Sequence, residues 1–411
     1  MKSRQLWLAI GLSTALYAQA ANYGTDLNLT MMPAAGGMGG VGVARPQEPA
    51  AAVFGNPASL TQFGAKTMFT LGATYYDPTV EVEHNGADTG APWSAKSKAR
   101  PYLIPTVAIT QPLDSRMTLG LGLTAISGVG SDFRGAGGSH PAGCPPVCAS
   151  ASLDPNAELI LFGANAGLGY QINDNLAVGL TITVGNGYAQ TPLVSNTASV
   201  HGFGVRATAG VNYELGPTTV GAYYRSPLSI NYKHLTNDGP GIFNDFRIEQ
   251  PQEFAFGIAN SSLLGGNLLL ALDVLFKDWS HARFYRDFYR DQTVVALGAQ
   301  LKTGNIQWRA GFSHARSPIK KDVGNSIGGK SSFGLNGVSV PLTPSLVKYF
   351  QATNAEVIWE NQVTVGAGYE LTRNIQVDGH VGLALNRDET IGNSRVKAEA
   401  WQAGVGLTWR F

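Results

Sequence analysis

The chain closes on Trp401-Gln402-Ala403-Gly404-Val405-Gly406-Leu407-Thr408-Trp409-Arg410-Phe411, and this stretch decides how the rest is read. One parity carries Trp401, Ala403, Val405, Leu407, Trp409 and Phe411; the other carries Gln402, Gly404, Gly406, Thr408 and Arg410. Side chains alternate at period two along a strand, so this segment sets one face against lipid and the other against water. The pattern recurs upstream. Val205, Ala207, Ala209, Val211 and Tyr213 oppose Arg206, Thr208, Gly210, Asn212 and Glu214, and Leu176, Val178, Leu180, Ile182 and Val184 back onto Ala177, Gly179, Thr181 and Thr183. In 357–370, Val357, Trp359, Val363, Val365, Ala367 and Tyr369 oppose Glu360, Gln362, Thr364, Gly366, Gly368 and Glu370.

Strands of this kind are expected near 66–77, 101–113, 116–128, 157–172, 174–188, 201–215, 218–234, 246–260, 266–282, 293–303, 305–315, 355–371, 374–387 and 397–411. Short turn sequences such as Asn173-Asp174, Leu215-Gly216-Pro217, Thr303-Gly304-Asn305 and Thr372-Arg373-Asn374 alternate with longer polar or Gly-rich connections. Short turns on one rim and long loops on the other fit an all-β fold, a 14-stranded antiparallel transmembrane β-barrel over residues 66–411, with both termini in the periplasm. The closing strand must pair with the first.

Composition narrows the alternatives. Glycine supplies 51 of 411 residues and charged residues only 14%, yet past the N-terminus no apolar run reaches the roughly 18 residues that a spanning helix needs. A formal charge of +1 offers no basic field for nucleic acid. Residues 1–20 read as a secretory signal peptide: Lys2 and Arg4, an apolar Leu6 to Leu16, and Ala18-Gln19-Ala20 before a cut at Ala21. The two cysteines, Cys144 and Cys148, bracket Pro145-Pro146-Val147 and are a disulfide candidate suited to an oxidising compartment. His140 is near them, but no second ligand pair makes a metal site, and nothing calls for a cofactor.

Several residues are candidates for contact with a ligand. Phe284, Tyr285, Phe288 and Tyr289 belong to a doubled Phe-Tyr-Arg-Asp unit, which suits an apolar receiving surface or, equally, an aromatic girdle braced by ion pairs. Arg206, Arg225 and Arg309 point inward by parity and could meet a carboxylate, or pair with inward acids such as Glu214, Glu360 and Asp378. In 316–354, Thr343 and Pro344 open a short helix carrying Leu346, Val347, Tyr349 and Phe350. Ser280 beside His281 is the nearest hydrolase-like pair, but neighbours in a strand point oppositely, so no enzyme is expected.

Residues 21–65 do not alternate: Gly36-Gly37-Met38-Gly39-Gly40 leads to Ala52-Val53-Phe54-Gly55-Asn56-Pro57-Ala58-Ser59-Leu60. Too apolar for a free tail and too small-sided for a core of its own, the segment belongs inside the barrel as a plug. Here the chain resembles the FadL family of outer-membrane transporters, with Asn56-Pro57-Ala58 similar to its hatch signature and Tyr224-Arg225-Ser226 and Trp279-Ser280 as further matches. The resemblance implies a monomer whose N-terminal hatch blocks the lumen and whose ligand leaves through a gap made by a kinked third strand, here the one with Gly120, Gly122, Gly128 and Gly130. It implies passive, hatch-gated uptake of hydrophobic small molecules, long-chain fatty acids first, with hydrocarbon uptake or a structural, adhesive barrel as alternatives. The terminal Phe411 is similar to the aromatic end that barrel-assembly machinery reads, with outer-membrane lipid as the other partner. In one departure from the family, 189–200 is short and polar where a helical capture loop is expected.

Overall fold

A computed structural model describes residues 24–87, 91–136, 156–190, 200–239, 242–335 and 338–411. Fourteen wall strands follow one another: β1 (Met68–His84), β2 (Tyr102–Pro112), β3 (Met117–Asp132), β4 (Asn156–Gln171), β5 (Leu176–Gln190), β6 (Val200–Leu215) and β7 (Thr218–Arg225). They continue as β8 (Gln252–Ser262), β9 (Leu268–Asp278), β10 (Gln292–Thr303), β11 (Ile306–Ala315), β12 (Asn361–Thr372), β13 (Ile375–Ile391) and β14 (Ser394–Arg410). Each pairs antiparallel with its sequence neighbours, and β14 closes on β1 from Met68↔Arg410 to His84↔Ser394. Closure leaves no sheet edge at the seam, the condition for strands to cross hydrocarbon.

The terminal strand faces as its parity requires. Val405, Leu407 and Trp409 are exposed on the outer wall, whereas Gln402, Gly404, Gly406 and Thr408 are buried toward the lumen. The short turns also stand where expected, with Gly216 at φ 61° and Gly304 at φ 62° taking left-handed backbone that a Cβ would resist.

Four expected strands are corrected. That of 266–282 ends at Asp278, and that of 355–371 begins at Asn361, with Val357 and Trp359 buried ahead of it. The other two leave the wall. The wall part of 218–234 stops at Arg225, and that of 246–260 starts at Gln252; between them Leu228–Gly239 pairs with Ile242–Gln250 as a separate hairpin. Pro227 and Pro251 flank it, and a residue without an N–H cannot continue a wall ladder. The hairpin buries Leu228, Ile230, Tyr232, Phe246 and Ile248 on one face. Leu228 and Ile230 approach Gly185, Gly202 and Gly204 on the lumen side of β5 and β6. Alternation was real here, but it described a hairpin with its own two faces.

Lumen-facing glycines explain much of the glycine content. The N-terminal segment packs on them: Leu60 on Gly120, Phe54 on Gly122, Pro57 on Gly210 and Val41 on Gly298, where a Cβ would lie 2.6–3.0 Å from those side chains. Its helix α1 (Pro49–Phe54) is buried throughout, starting with Pro49 in the first turn. The segment therefore lies within the barrel.

β3 is interrupted. Its pairing with β2 ends at Thr106↔Thr124, and its pairing with β4 shifts between Ala125 and Ser127. Thr124, Ala125, Ile126 and Ser127 are all buried in succession, so strict alternation is lost there. The N-terminal segment meets this turned-in backbone: Leu27 N–H donates to Ile126 O at 3.1 Å and Gly128 N–H to Thr25 O at 2.9 Å.

Because Val405 is 59% exposed in mid-strand on the outer wall, Val405→Arg is expected to cost about 2–4 kcal/mol. Equilibrium folding into lipid vesicles measures it, and a cost near zero would put this face outside lipid.

Candidate functional site

At the long-loop end of the lumen lies a cavity of about 120 Å³. The loop after β9 supplies Phe284, Tyr285, Phe288 and Tyr289 to its wall, and helix α2 (Pro344–Thr353) supplies Phe350 and Gln351. Thr343 caps α2, its hydroxyl accepting Leu346 N–H at 3.2 Å, and Pro344 takes the first position, as the sequence requires. The four aromatic candidates thus face the cavity and form no girdle on the outer wall. Their rings interlock: Phe284 and Phe288 meet edge-on at 5.2 Å, and Tyr285 and Tyr289 stack at 5.2 Å. Phe284 holds φ at 77°, a strained value that fixes the loop where it turns into the cavity. Among the described residues no lysine or arginine lines it, and Glu158 is the one acidic group.

A second cavity, about 40 Å³, lies deeper, against Val53 and Phe54 of the N-terminal segment and Ala125 and Ile126 of β3. Residues 24–27 pass between the two. Gly24 abuts Trp279, which packs edge-on to Tyr285 at 5.0 Å and Tyr289 at 5.3 Å, and Leu27 lines the deeper cavity. Asp26 accepts from Lys277 Nζ at 2.7 Å, and Lys277 also pairs with Glu253.

The three inward arginines part company. Arg309 is spoken for, with Asp378 at 2.6 Å and Gln300 Oε1 at 2.7 Å. Arg225 pairs with Glu253 at 3.0 Å, donates to Phe54 O at 2.6 Å, and lies 5.0 Å over the Tyr223 ring. Arg206 is different: it lines the deeper cavity, is 7% exposed, and its Nε has no hydrogen-bond partner. Of the inward acids, Asp378 meets Arg309, while Glu214 lies 3.7 Å from Arg45 and Glu360 3.2 Å from Arg387. Lys277, Glu253 and Asp26 escaped the sequence reading, although a lysine and a glutamate at lumen parity were visible signals.

Asn56 anchors the N-terminal segment. Fully buried, it donates through Nδ2 to Val43 O at 2.9 Å and Asn212 Oδ1 at 2.7 Å, and accepts Ala58 N–H at 3.1 Å. Asn212 in turn donates to Ser59 Oγ at 2.7 Å. Pro57 opens the short helical turn over Pro57–Phe63, and Ala58 is fully buried. Gly120 and Gly122 admit this segment to the wall, whereas Gly128 and Gly130 lie in the turned-in part of β3. Cys144, Cys148 and His140 lie outside the described residues, as does the proposed signal peptide.

Ser280 and His281 are in a turn and not in a strand, which corrects the argument that kept them apart: Ser280 Oγ is 3.4 Å from His281 Nδ1. Asp278 binds the same nitrogen at 2.7 Å. A proton relay needs the nucleophile and the orienting acid on opposite ring nitrogens, so the contact is a turn brace.

Two expectations follow. Asn56→Leu leaves buried acceptors unmet and is expected to destabilise the packed segment by about 1–3 kcal/mol, seen as faster amide exchange over residues 43–59. Glu48 accepts Ala34 N–H at 2.7 Å and Ala35 N–H at 3.0 Å. Burial, seconded by Asp378, raises its pKa from 4.5 to about 7. The packed segment then keeps a proton that the unpacked one releases near 4.5, so raising the pH from 4.5 to 7 favours unpacking. Planar-bilayer open probability is expected to rise over that window, and Glu48→Gln to flatten it.

The sequence profile described as outer membrane protein transport protein (OMPP1/FadL/TodX) matches residues 12–222, just over half of the chain. No curated protein sequence matches. Among solved structures, the P. putida toluene transporter TodX superposes with a TM-score of 0.65 at 18% identity, covering 95% of this chain and 99% of that one. The Ralstonia pickettii toluene transporter TbuX gives 0.63 at 18%, covering 93% and 99%. A Pseudomonas aeruginosa FadL homologue gives 0.64 at 14%, covering 96% and 99%. At such identities the structural likeness is one of fold. The profile match, the closed barrel and the segment packed within it together show that the chain belongs to the OMPP1/FadL/TodX family of outer-membrane transport proteins.

Proposed function

We propose that this channel takes up small, uncharged hydrophobic molecules of about one aromatic ring, with the N-terminal segment as its hatch and the interrupted β2–β3 wall as its exit toward lipid. One observation carries the ligand class: a cavity of about 120 Å³ walled by Phe246, Phe284, Phe288 and Phe350, with no cation among the described residues that line it. A dry apolar cavity of about 150 Å³ is enough to hold benzene. An ionised carboxylate there would lose its water without gaining a partner, and Glu158 would repel it. Two solved relatives are toluene transporters, which agrees with the size. Transport needs no chemistry from the chain. A lipophile needs a receiving surface beyond the polar headgroups and a way back into lipid.

A second reading, uptake of long-chain fatty acids, is favoured by Arg206, whose unpartnered guanidinium lines the deeper cavity within reach of the hatch. In that reading the tail occupies aromatic surface and the carboxylate meets Arg206.

Binding of toluene and of oleate to the purified protein, read by fluorescence of Trp279 and its neighbours, separates the two. Toluene is expected to bind and Phe288→Ala to weaken it by about three- to thirtyfold. Arg206→Met is expected to leave toluene unchanged. Loss of oleate binding alone in Arg206→Met would establish the second reading, and a deletion strain that takes up both compounds like its parent would contradict both.

A further inference from the structure

The aromatic cavity and the interrupted strand share a wall. Val129 of β3 lines the cavity, and so do Phe350, Gln351 and Asn354 from the end of α2. Asn354 caps that helix: its N–H reaches Phe350 O at 3.2 Å, and its Nδ2 donates to the same carbonyl at 3.0 Å. With both donors turned back onto the helix, Oδ1 faces β3 and accepts from Ser131 Oγ at 3.2 Å. Two residues on, Glu356 is 7% exposed, and its Oε2 accepts Gly130 N–H at 3.1 Å. Gln351 ties the other side of α2 to the cavity, donating to Phe288 O at 2.8 Å and Lys320 O at 3.1 Å.

These contacts fall where β3 has lost its regular neighbour. Beyond Thr124 no residue of β2 pairs with it, so on that side Gly130 and Ser131 are held by the loop after α2, while β4 still pairs with them on the other, at Gly130↔Glu158 and Ser131↔Ala157. The cavity is small, about 120 Å³, and its walls are rigid interlocked rings. A ligand that fills it presses on Phe350 and Asn354 and on Val129 at once. A packed wall responds to such pressure by shifting as a unit, because interiors have little free space.

We propose that Asn354 and Glu356 are positioning residues that couple occupancy of the aromatic cavity to the opening of the wall at β3. They touch the gate directly and act on transport through β3. Ligand binding weakens the ties to Ser131 and Gly130, and the same ties, when intact, hold the wall shut in the empty channel. Reciprocity gives the sign: breaking the ties favours the open wall and raises ligand affinity, and locking them lowers it. The inference rests on the wall exit proposed above, and it adds the element that senses the ligand.

The test locks the tie reversibly. In a Cys144→Ser, Cys148→Ser background, Ser131→Cys with Asn354→Cys replaces the 3.2 Å Ser131 Oγ–Asn354 Oδ1 contact by two thiols, the one at 354 standing at the position of the amide carbon, and mass spectrometry checks that oxidation joins them. The oxidised protein is expected to bind toluene several-fold more weakly than the reduced one and to transport it at least about tenfold more slowly in vesicles, with dithiothreitol restoring both. Equal rates in both states would overturn the coupling, and so would unchanged affinity, because a tie that ligand binding breaks must weaken binding when it is locked. A second arm needs no natural ligand: Phe288→Trp overfills the cavity, and amides 126–132 are expected to exchange about tenfold faster. With Asn354→Leu and Glu356→Leu, which break both ties, these amides are expected to exchange fast already, and Phe288→Trp to add no further acceleration. Unchanged exchange in Phe288→Trp would overturn the inference. Failure of the wild type to bind toluene would instead remove the ligand class and leave this arm standing.

Discussion

A backbone crossing hydrocarbon must satisfy its own N–H and C=O groups, and the rest of this structure follows from where that demand is met by the barrel ladder and where it is not. Closure of β14 on β1 meets it at the seam over the full length of both strands. It lapses above Thr106↔Thr124, where β2 leaves β3, and above Thr208↔Arg225, where β7 ends and β6 runs on. In the first place the N-terminal segment, Asn354 and Glu356 supply hydrogen bonds from within. At the second, the hairpin from Leu228 to Gln250 packs over the lumen side of β6. The interruptions are thus where the loops and the N-terminal segment have something to hold and, in the proposed mechanism, where their movement is felt by the wall.

Glycine sets the scale of the interior. With side chains absent on the lumen face at positions such as Gly120, Gly122 and Gly298, a chain of small residues lies close against the wall. Dispersion contacts and backbone hydrogen bonds then replace a conventional core, at densities that tolerate no added methyl group. Two buried carboxylates anchor that chain by accepting pairs of backbone N–H groups, Glu48 from Ala34 and Ala35, and Asp273 from Gly42 and Val43. Such anchors are directional and local. They favour a hatch that releases at discrete points over one that melts as a whole.

Period-two alternation made the wall legible, because a lipid-facing strand states its orientation residue by residue; the seam through Trp401 to Phe411 needed nothing more. It overran at 266–282 and 355–371, whose strands are Leu268–Asp278 and Asn361–Thr372, and it misled at 218–234 and 246–260, where Pro227 and Pro251 mark a hairpin leaving the wall. The aromatic loop was legible as composition, since Phe284, Tyr285, Phe288 and Tyr289 do converge on a cavity. Its partners were not. Phe350, Gln351 and Asn354 come from a loop some sixty residues on, and their approach depends on a tertiary fold that no local pattern encodes. Parity placed Arg206, Arg225 and Arg309 inward but could not say which acid each would meet, and that choice left Arg206 alone with an unpartnered Nε.

The central claim is that a ring-sized neutral molecule occupies the chamber between the doubled aromatic unit and the end of α2. A crystal of the protein grown with 4-bromotoluene tests it directly through the anomalous scattering of bromine. The account requires a bromine peak enclosed by Phe284, Phe288 and Phe350. Bromine found only on the lipid-facing wall, with none in that chamber, would contradict it.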